Sequence, residues 1–421
     1  MEEKLYCFKS GLRLVYQQVE MTRPASIKIG VYVGSANEKA EENGISHFIE
    51  HLVFKGSKKR TNKQISADFE FIGANFNAFT AYQKTCFYLT GLNEKFEESL
   101  EILSDIVFNP LFNQDDIDKE RNVIYEEIDM YKDKPRAIVS QEVRRLFYGD
   151  TPLGRDVIGT KETLSKMNRK EILNYYKEHY IAKNIIVSVV CGRDFSYVKK
   201  MVKKYVDSHF EGTDKPDKVI KSHVVVPDRN FTAIKKDVKQ ANVVFCFPCC
   251  NIFSKDKMAT SLLAFIFGGG MSSRLFNRIR EDEGLVYDIY AEPGCAVHGG
   301  AFIISFGASE NNVKKTIRCI KEEILKLKEN GVTEEELDRA KNFTKAMMLS
   351  GFEKTTSLAS KNMAQAYTKG KIVSPEDRIK KIEKVTVEDI KNVIDSIFNF
   401  SNVCGSVISK SLDASVFDDL Q

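Results

Sequence analysis

No stretch of the 421-residue chain approaches the run of ~18 apolar residues that a membrane-spanning helix needs. The start, MEEKLYCFKSG, lacks the apolar segment of a secretion signal. Both absences point to a cytoplasmic protein with no membrane partner. Charge of one sign is missing too: 63 Lys and Arg against 59 Asp and Glu leave only +4, and no basic block is interleaved with aromatics. That argues against a nucleic-acid partner. The nine cysteines are an odd number. Most lie in apolar, strand-like runs, as reduced and buried thiols do. Histidine is scarce, with six in all, so two of them close together carry information.

Two are close together in His47-Phe48-Ile49-Glu50-His51. On a helix, residues four apart share a face, so both imidazoles project to one side and can hold a single zinc ion. Glu50 directly precedes the second histidine, within reach of a water on that metal. The order H-x-x-E-H reverses the H-E-x-x-H zinc helix and is the inverzincin signature. A chance occurrence is expected in roughly one such chain in a hundred. Asn43-Gly44 and Ser46 mark the helix start, with Ser46 as N-cap candidate. Ile45, Phe48, Ile49, Leu52 and Phe54 supply the apolar surface that would bury it.

A catalytic zinc needs three protein ligands and one open position. Positions 114–133, QDDIDKERNVIYEEIDMYKD, read as an amphipathic helix with Ile117, Val123, Ile124, Tyr125, Ile128 and Met130 as its apolar positions. Glu120 and Glu127 are two turns apart on one face, and Glu126 points toward solvent. This makes Glu127 the candidate third ligand and Glu120 the carboxylate that orients a ligand. On these residues alone, an ordinary acidic, solvated helix face accounts for the pattern better.

Elsewhere the chemistry is thin. Cys246 and Cys249 have C-x-x-C spacing beside Cys250. No second pair or nearby histidine completes a metal site, so packed thiols at a strand end broken by Pro248 are expected. Gly268-Gly269-Gly270 lacks the downstream Gly-Lys-Ser/Thr of a phosphate loop.

An internal repeat organises the chain. SIKIGVYVGSANEKAEENGISHFIEHLVFKGSKKR reads as strand, polar loop and helix, and ANVVFCFPCCNIFSKDKMATSLLAFIFGGGMSSRLF repeats that order. The second helix, LLAFIFGG, has no ligand-type residue, so the second repeat is a metal-free copy. The expected layout is a first repeat over 1–212, a polar linker over 213–223 and a second repeat over 224–421. Strand-like runs such as NIIVSVVCG and GAFIISFGA alternate with long helices. The fold class expected is α+β, with two homologous repeats, each a mixed or antiparallel β-sheet packed by helices.

HFIEH paired with ERNVIYEEIDMYKDKP, at the interval seen here between His51 and Glu127, resembles the M16 peptidases. These are the pitrilysin-type inverzincins, and the likeness is to their short two-domain subgroup (M16B). GANFNAFTAYQKTCFYLTGL, FGGGMSSRLFNRIREDEGLVYDIYA, LDRAKNFTKAMMLSGFE and KIEKVTVEDIKNVI extend the resemblance over nearly the whole chain.

The resemblance implies a zinc endopeptidase with one Zn2+ per chain, bound by His47, His51 and Glu127. Glu50 would be general base, with Glu120 supporting the site. It implies that Arg280 and Tyr287, in REDEGLVY, stabilise the oxyanion, and that Asn77-Ala78-Phe79-Thr80 is an edge strand to which an extended peptide adds. Family members enclose peptide or unfolded polypeptide in a chamber of four such domains. This chain supplies two, so a homodimer is expected, with Arg280 and Tyr287 reaching the partner's site. A catalytic half of a heterodimer, or a non-catalytic binding subunit, are the alternatives.

Overall fold

The β-branched and aromatic runs form eleven strands among the residues that the computed structural model describes, 2–212, 227–297 and 299–420. In the first half these are β1 (Glu3–Cys7), β2 (Arg13–Gln18), β3 (Ala25–Val31), β4 (Asn75–Ala81), β5 (Lys84–Gly91) and β6 (Ile185–Cys191). In the second half they are β7 (Asn230–Lys235), β8 (Ala241–Cys249), β9 (Val286–Ala296), β10 (Gly299–Ala308) and β11 (Cys404–Ser409). The first sheet runs β1-β2-β6-β3-β5-β4 and the second β7-β11-β8-β10-β9.

The repeat is visible in this order. In each sheet one parallel pair, β2 with β6 or β7 with β11, is followed by three antiparallel neighbours. The first sheet adds β1 at its outer side. Each is thus a mixed sheet, and β4 and β9 hold equivalent outer positions.

Two compact units result. One comprises Met1–Asp129, Arg155–Val219 and Leu349–Val373, and the other Met130–Gly154, Ile220–Met348 and Ser374–Gln421. Neither is a contiguous stretch. The helix Thr355–Lys369, from late in the chain, packs on β2, β3 and β6 of the first sheet. The helix Pro135–Tyr148, from early in the chain, packs on β8 and β11 of the second. The linker expected over 213–223 lies outside the described residues.

In the first unit one sheet face buries Ile27, Ile29, Phe87 and Leu89 against Phe48, Ile49, Leu52, Ile117 and Ile124 from the helices. The opposite face buries Val15 and Ile186 against Met363 and Ala366, and Val190 against Leu358 and Ala359. With helices on both faces, β3 and β6 are buried along their whole length. The β6 sequence, IIVSVVC, accordingly reads as a nearly continuous apolar run, whereas β3, ASIKIGV, alternates and buries Ser26 and Lys28 on its second face. Each fully buried Leu, Ile or Phe contributes about 1.5–3 kcal/mol of transfer free energy.

One expectation fails in the second unit. Pro248 does not break its strand: β8 continues to Cys249, with Pro248 opposite Ala301 of β10. Pairing to β11 ends at Cys246, so on that side the missing N–H of proline interrupts no ladder.

Candidate metal centre

The HFIEH segment lies on the helix Ile45–Val53, with Ile45, Phe48, Ile49, Leu52 and Val53 buried. At nine residues it is too short to hold itself together in water, so packing of that face stabilises it. Its start differs from expectation. Ser46 is inside the first turn and Gly44 is the N-cap, at φ +98°. A Cβ on Gly44 would sit 2.7 Å from the Ile158 carbonyl oxygen, so close approach as well as the left-handed backbone requires glycine. The Ser46 hydroxyl instead meets the Tyr175 hydroxyl at 2.9 Å.

His47 and His51 project together, with ring centroids 4.5 Å apart. The helix Gln114–Lys132 brings Glu127 to them: its Oε2 is 3.8 Å from His47 Nε2 and 3.6 Å from His51 Nε2. One donor atom from each of the three residues lies within 4.8 Å of the others. Tetrahedral zinc with bonds of ~2.0–2.1 Å would separate its ligand atoms by about 3.3 Å, a few tenths of an ångström less than the two carboxylate–imidazole distances. Two imidazoles and one carboxylate are a donor set zinc accepts, with a fourth position open. Burial, then the neighbouring His51, lowers His47 to about 3, which keeps its imidazole neutral as a metal ligand must be.

The surroundings fit a cation as well. Glu120, buried, accepts from His51 Nδ1 at 2.8 Å and from Lys55 Nζ at 2.6 Å. Burial alone would raise the Glu120 carboxyl, but these two partners outweigh it and hold it below the usual carboxylate range. Burial opposes charge on His51, but the Glu120 hydrogen bond and charge dominate and raise it. Glu50 lies on the same helix, and its Oε2 accepts from the Thr80 hydroxyl at 2.5 Å. Burial pushes the Glu50 carboxyl up, partly offset by that hydrogen bond. Three carboxylates thus surround two imidazoles and one ammonium, an excess of negative charge that a divalent cation would neutralise.

Glu126 is exposed. Val123 and Met130 are exposed too, 50% and 46%, so they do not belong to the buried face of their helix as the apolar pattern had them. β4 is the outer strand of its sheet and, among the described residues, pairs only with β5. Alternation puts Ala78 and Thr80 on the side of Glu50 and Asn77 on the other. Arg280 and Tyr287 belong to the other unit, where the guanidinium lies 5.3 Å from the Tyr287 ring centroid. Tyr287 is the second residue of β9 and is 79% exposed. Gly268 packs against β9, where a Cβ would sit 2.7 Å from Ala291 N, a reason for glycine that has nothing to do with phosphate. All nine cysteines are free thiols, and burial raises that of Cys246. Sequence reasoning missed Lys55, although its place four after His51 was a usable signal, and Glu38, for which no motif existed.

Comparison with known proteins places the chain in a family. Residues 13–161 match Insulinase (Peptidase family M16), and residues 166–343 match the Peptidase M16 inactive domain. A Bacillus subtilis protein named "Uncharacterized zinc protease YmxG" is 31% identical over 400 residues, 94% of this chain and 95% of that one. A Rickettsia felis "Uncharacterized zinc protease" is 33% identical over 396 residues, 93% of this chain and 94% of the other. The chain belongs to peptidase family M16.

Solved structures carry the same M16 fold. A protease from Helicobacter pylori superposes with TM-score 0.87 at 22% identity, covering 97% of this chain and 99% of that one. A peptidase M16 inactive-domain protein from Pseudomonas fluorescens gives TM-score 0.89 at 18% identity, covering 98% and 99%. The M16 inactive-domain match falls on the part of the chain that includes the ligand-free helix Lys257–Ala264. No helix among the described residues of this M16 protein is long and apolar enough to cross a membrane.

Proposed function

We propose that the chain is a zinc-dependent endopeptidase whose metal is held by His47, His51 and Glu127. The observation that carries this reading is the convergence of those three donors beside a half-buried carboxylate, Glu50, that is not one of them. Bound there, zinc would supply a Lewis acid that polarises the scissile carbonyl and makes water a better nucleophile.

The protein's own groups do the rest. Glu50 takes the proton of the attacking water at its carboxylate and later gives it to the leaving amine. Burial raises the Glu50 carboxyl, which favours holding that proton until it is passed on. Thr80 fixes the Glu50 carboxylate, and Glu120 fixes the His51 ring with Nε2 turned to the metal position. The free edge of β4 offers main-chain donors and acceptors to an extended peptide, which gives affinity with little sequence choice. Two chains assemble as a homodimer, and Arg280 with Tyr287 of one donates hydrogen bonds to the oxyanion in the site of the other. The resemblance to four-domain M16 chambers supports that last step.

The test is digestion of a peptide library by wild type and Glu50→Gln, each with zinc, with products read by mass spectrometry. Cleavage by wild type and its loss in the variant are expected. Absence of any Glu50-dependent cleavage would end the proposal.

A further inference from the structure

Glu38 lies in the turn preceding the His helix, is 2% exposed, and takes no part in the chemistry above. Its Oε2 accepts from Gly44 N at 2.8 Å and from Asn43 Nδ2 at 3.1 Å, and its Oε1 accepts from Ser46 N at 2.9 Å. Gly44 and Ser46 are the N-cap and second residue of the helix, whose N–H groups have no partner within it. No lysine or arginine ion-pairs with this carboxylate among the described residues. A buried carboxylate without a cation is costly where a short exposed side chain could cap a helix.

The two histidines explain where the cost is used. The His51 ring is locked by Glu120 through Nδ1. The Nδ1 of His47 is buried and has no hydrogen-bond partner among the described residues. The place of the His47 imidazole is therefore set by packing and by the backbone of the turn it sits on. That turn is what Glu38 grips. The same segment is tied from outside: Asn43 Nδ2 donates to the Asp156 carbonyl at 2.8 Å, the Thr163 hydroxyl to the Asn43 carbonyl at 2.7 Å, and Arg155 Nη2 to the Glu38 carbonyl at 2.9 Å.

We infer that Glu38 is a positioning residue for the metal centre, holding His47 in place through the backbone of residues 44–46. The inference rests on the zinc reading above. It assigns the two histidines different supports: a side-chain carboxylate at the ring for His51, and a buried carboxylate at the backbone for His47.

The test measures Zn2+ affinity by competition with a chromophoric chelator, and the visible absorption of the Co2+-substituted protein, for wild type, E38Q and L358A. L358A removes core packing on the opposite sheet face and serves as a control for general loss of stability. E38Q replaces one acceptor oxygen by a donor against backbone N–H groups. Expected is a loss of Zn2+ affinity of about tenfold or more in E38Q with a changed Co2+ spectrum, as for other groups that orient ligands, and an unchanged affinity in L358A. Should E38Q not fold, N43A removes one of the three donors and should shift affinity in the same direction by less. Wild-type affinity in E38Q, or in N43A where that variant carries the test, overturns the inference, as does an equal loss in L358A. A wild type that binds no Zn2+ overturns the zinc reading itself, and the inference with it.

Discussion

His51 turns its Nδ1 to Glu120 Oε1 at 2.8 Å, which leaves its Nε2 facing Glu127 at 3.6 Å. One hydrogen bond thus sets both the tautomer and the direction of the ring. The second Glu120 oxygen is occupied by Lys55 at 2.6 Å, so the carboxylate cannot turn away without giving up an ion pair. Glu120→Gln should weaken Zn2+ binding about ten- to a hundredfold, read by chelator competition. Lys55→Met should do so by less, because the His51 contact survives. Unaltered affinity in Glu120→Gln would mean that the ring needs no such support.

Thr80 separates two roles that differ in kinetics. Its hydroxyl donates to Glu50 at 2.5 Å, and a hydrogen bond to a charged group is worth about 1.5–3 kcal/mol. Thr80→Val should therefore lower kcat by roughly ten- to a hundredfold, with KM and Zn2+ affinity little changed. If KM rises while kcat holds, Thr80 acts on bound peptide and not on the base.

Assembly can be tested by mixing. His47→Ala and Arg280→Ala chains are each expected to be inactive. Mixed under conditions that allow exchange, they should recover part of the peptidase activity, because one site in the mixed dimer has both halves intact. If no mixture exceeds either variant alone, Arg280 does not serve a partner's site.

Acid stability should depend on Arg60. It joins Glu101 at 2.5 Å, Asp105 at 2.9 Å and Asp68 at 2.8 Å. Burial raises the Glu101 carboxyl, but Arg60 and Lys59 outweigh that and hold it below its ordinary value. A depressed folded pKa adds stability that is complete above the unfolded value near 4.5 and is lost as pH falls through the folded one. Arg60→Leu should cost about 3–5 kcal/mol at neutral pH by leaving the buried Asp105 carboxylate without its cation and Glu101 with Lys59 alone. The penalty should shrink in acid, as urea melts at pH 7 and pH 4 would reveal.

Much of the centre was legible because its chemistry is local. Four-residue spacing puts His47 and His51 on one face wherever the helix packs, and seven-residue spacing does the same for Glu120 and Glu127. The helix read over 114–133 forms as Gln114–Lys132. What escaped depends on tertiary neighbours. Val123 and Met130 are apolar yet exposed, because apolar type records a tendency to bury and not the presence of a cover. Ser46 is a good cap by type, but the helix starts earlier, where Glu38 reaches the N–H groups of Gly44 and Ser46 across a loop. The amphipathic pattern of Pro135–Tyr148 marks a face to be buried, without naming the sheet that buries it.

The exchange of segments between the two units has a consequence during synthesis. The first unit cannot complete until Leu349–Val373 has been made, on the order of ten seconds after Val219 at about 5–20 residues per second. Through that interval Val15, Ile186 and Val190 present an uncovered apolar sheet face. A nascent chain in this state is a substrate for chaperones or for aggregation, and a product cut short before residue 349 would keep the HFIEH helix while lacking the cover for the sheet behind it.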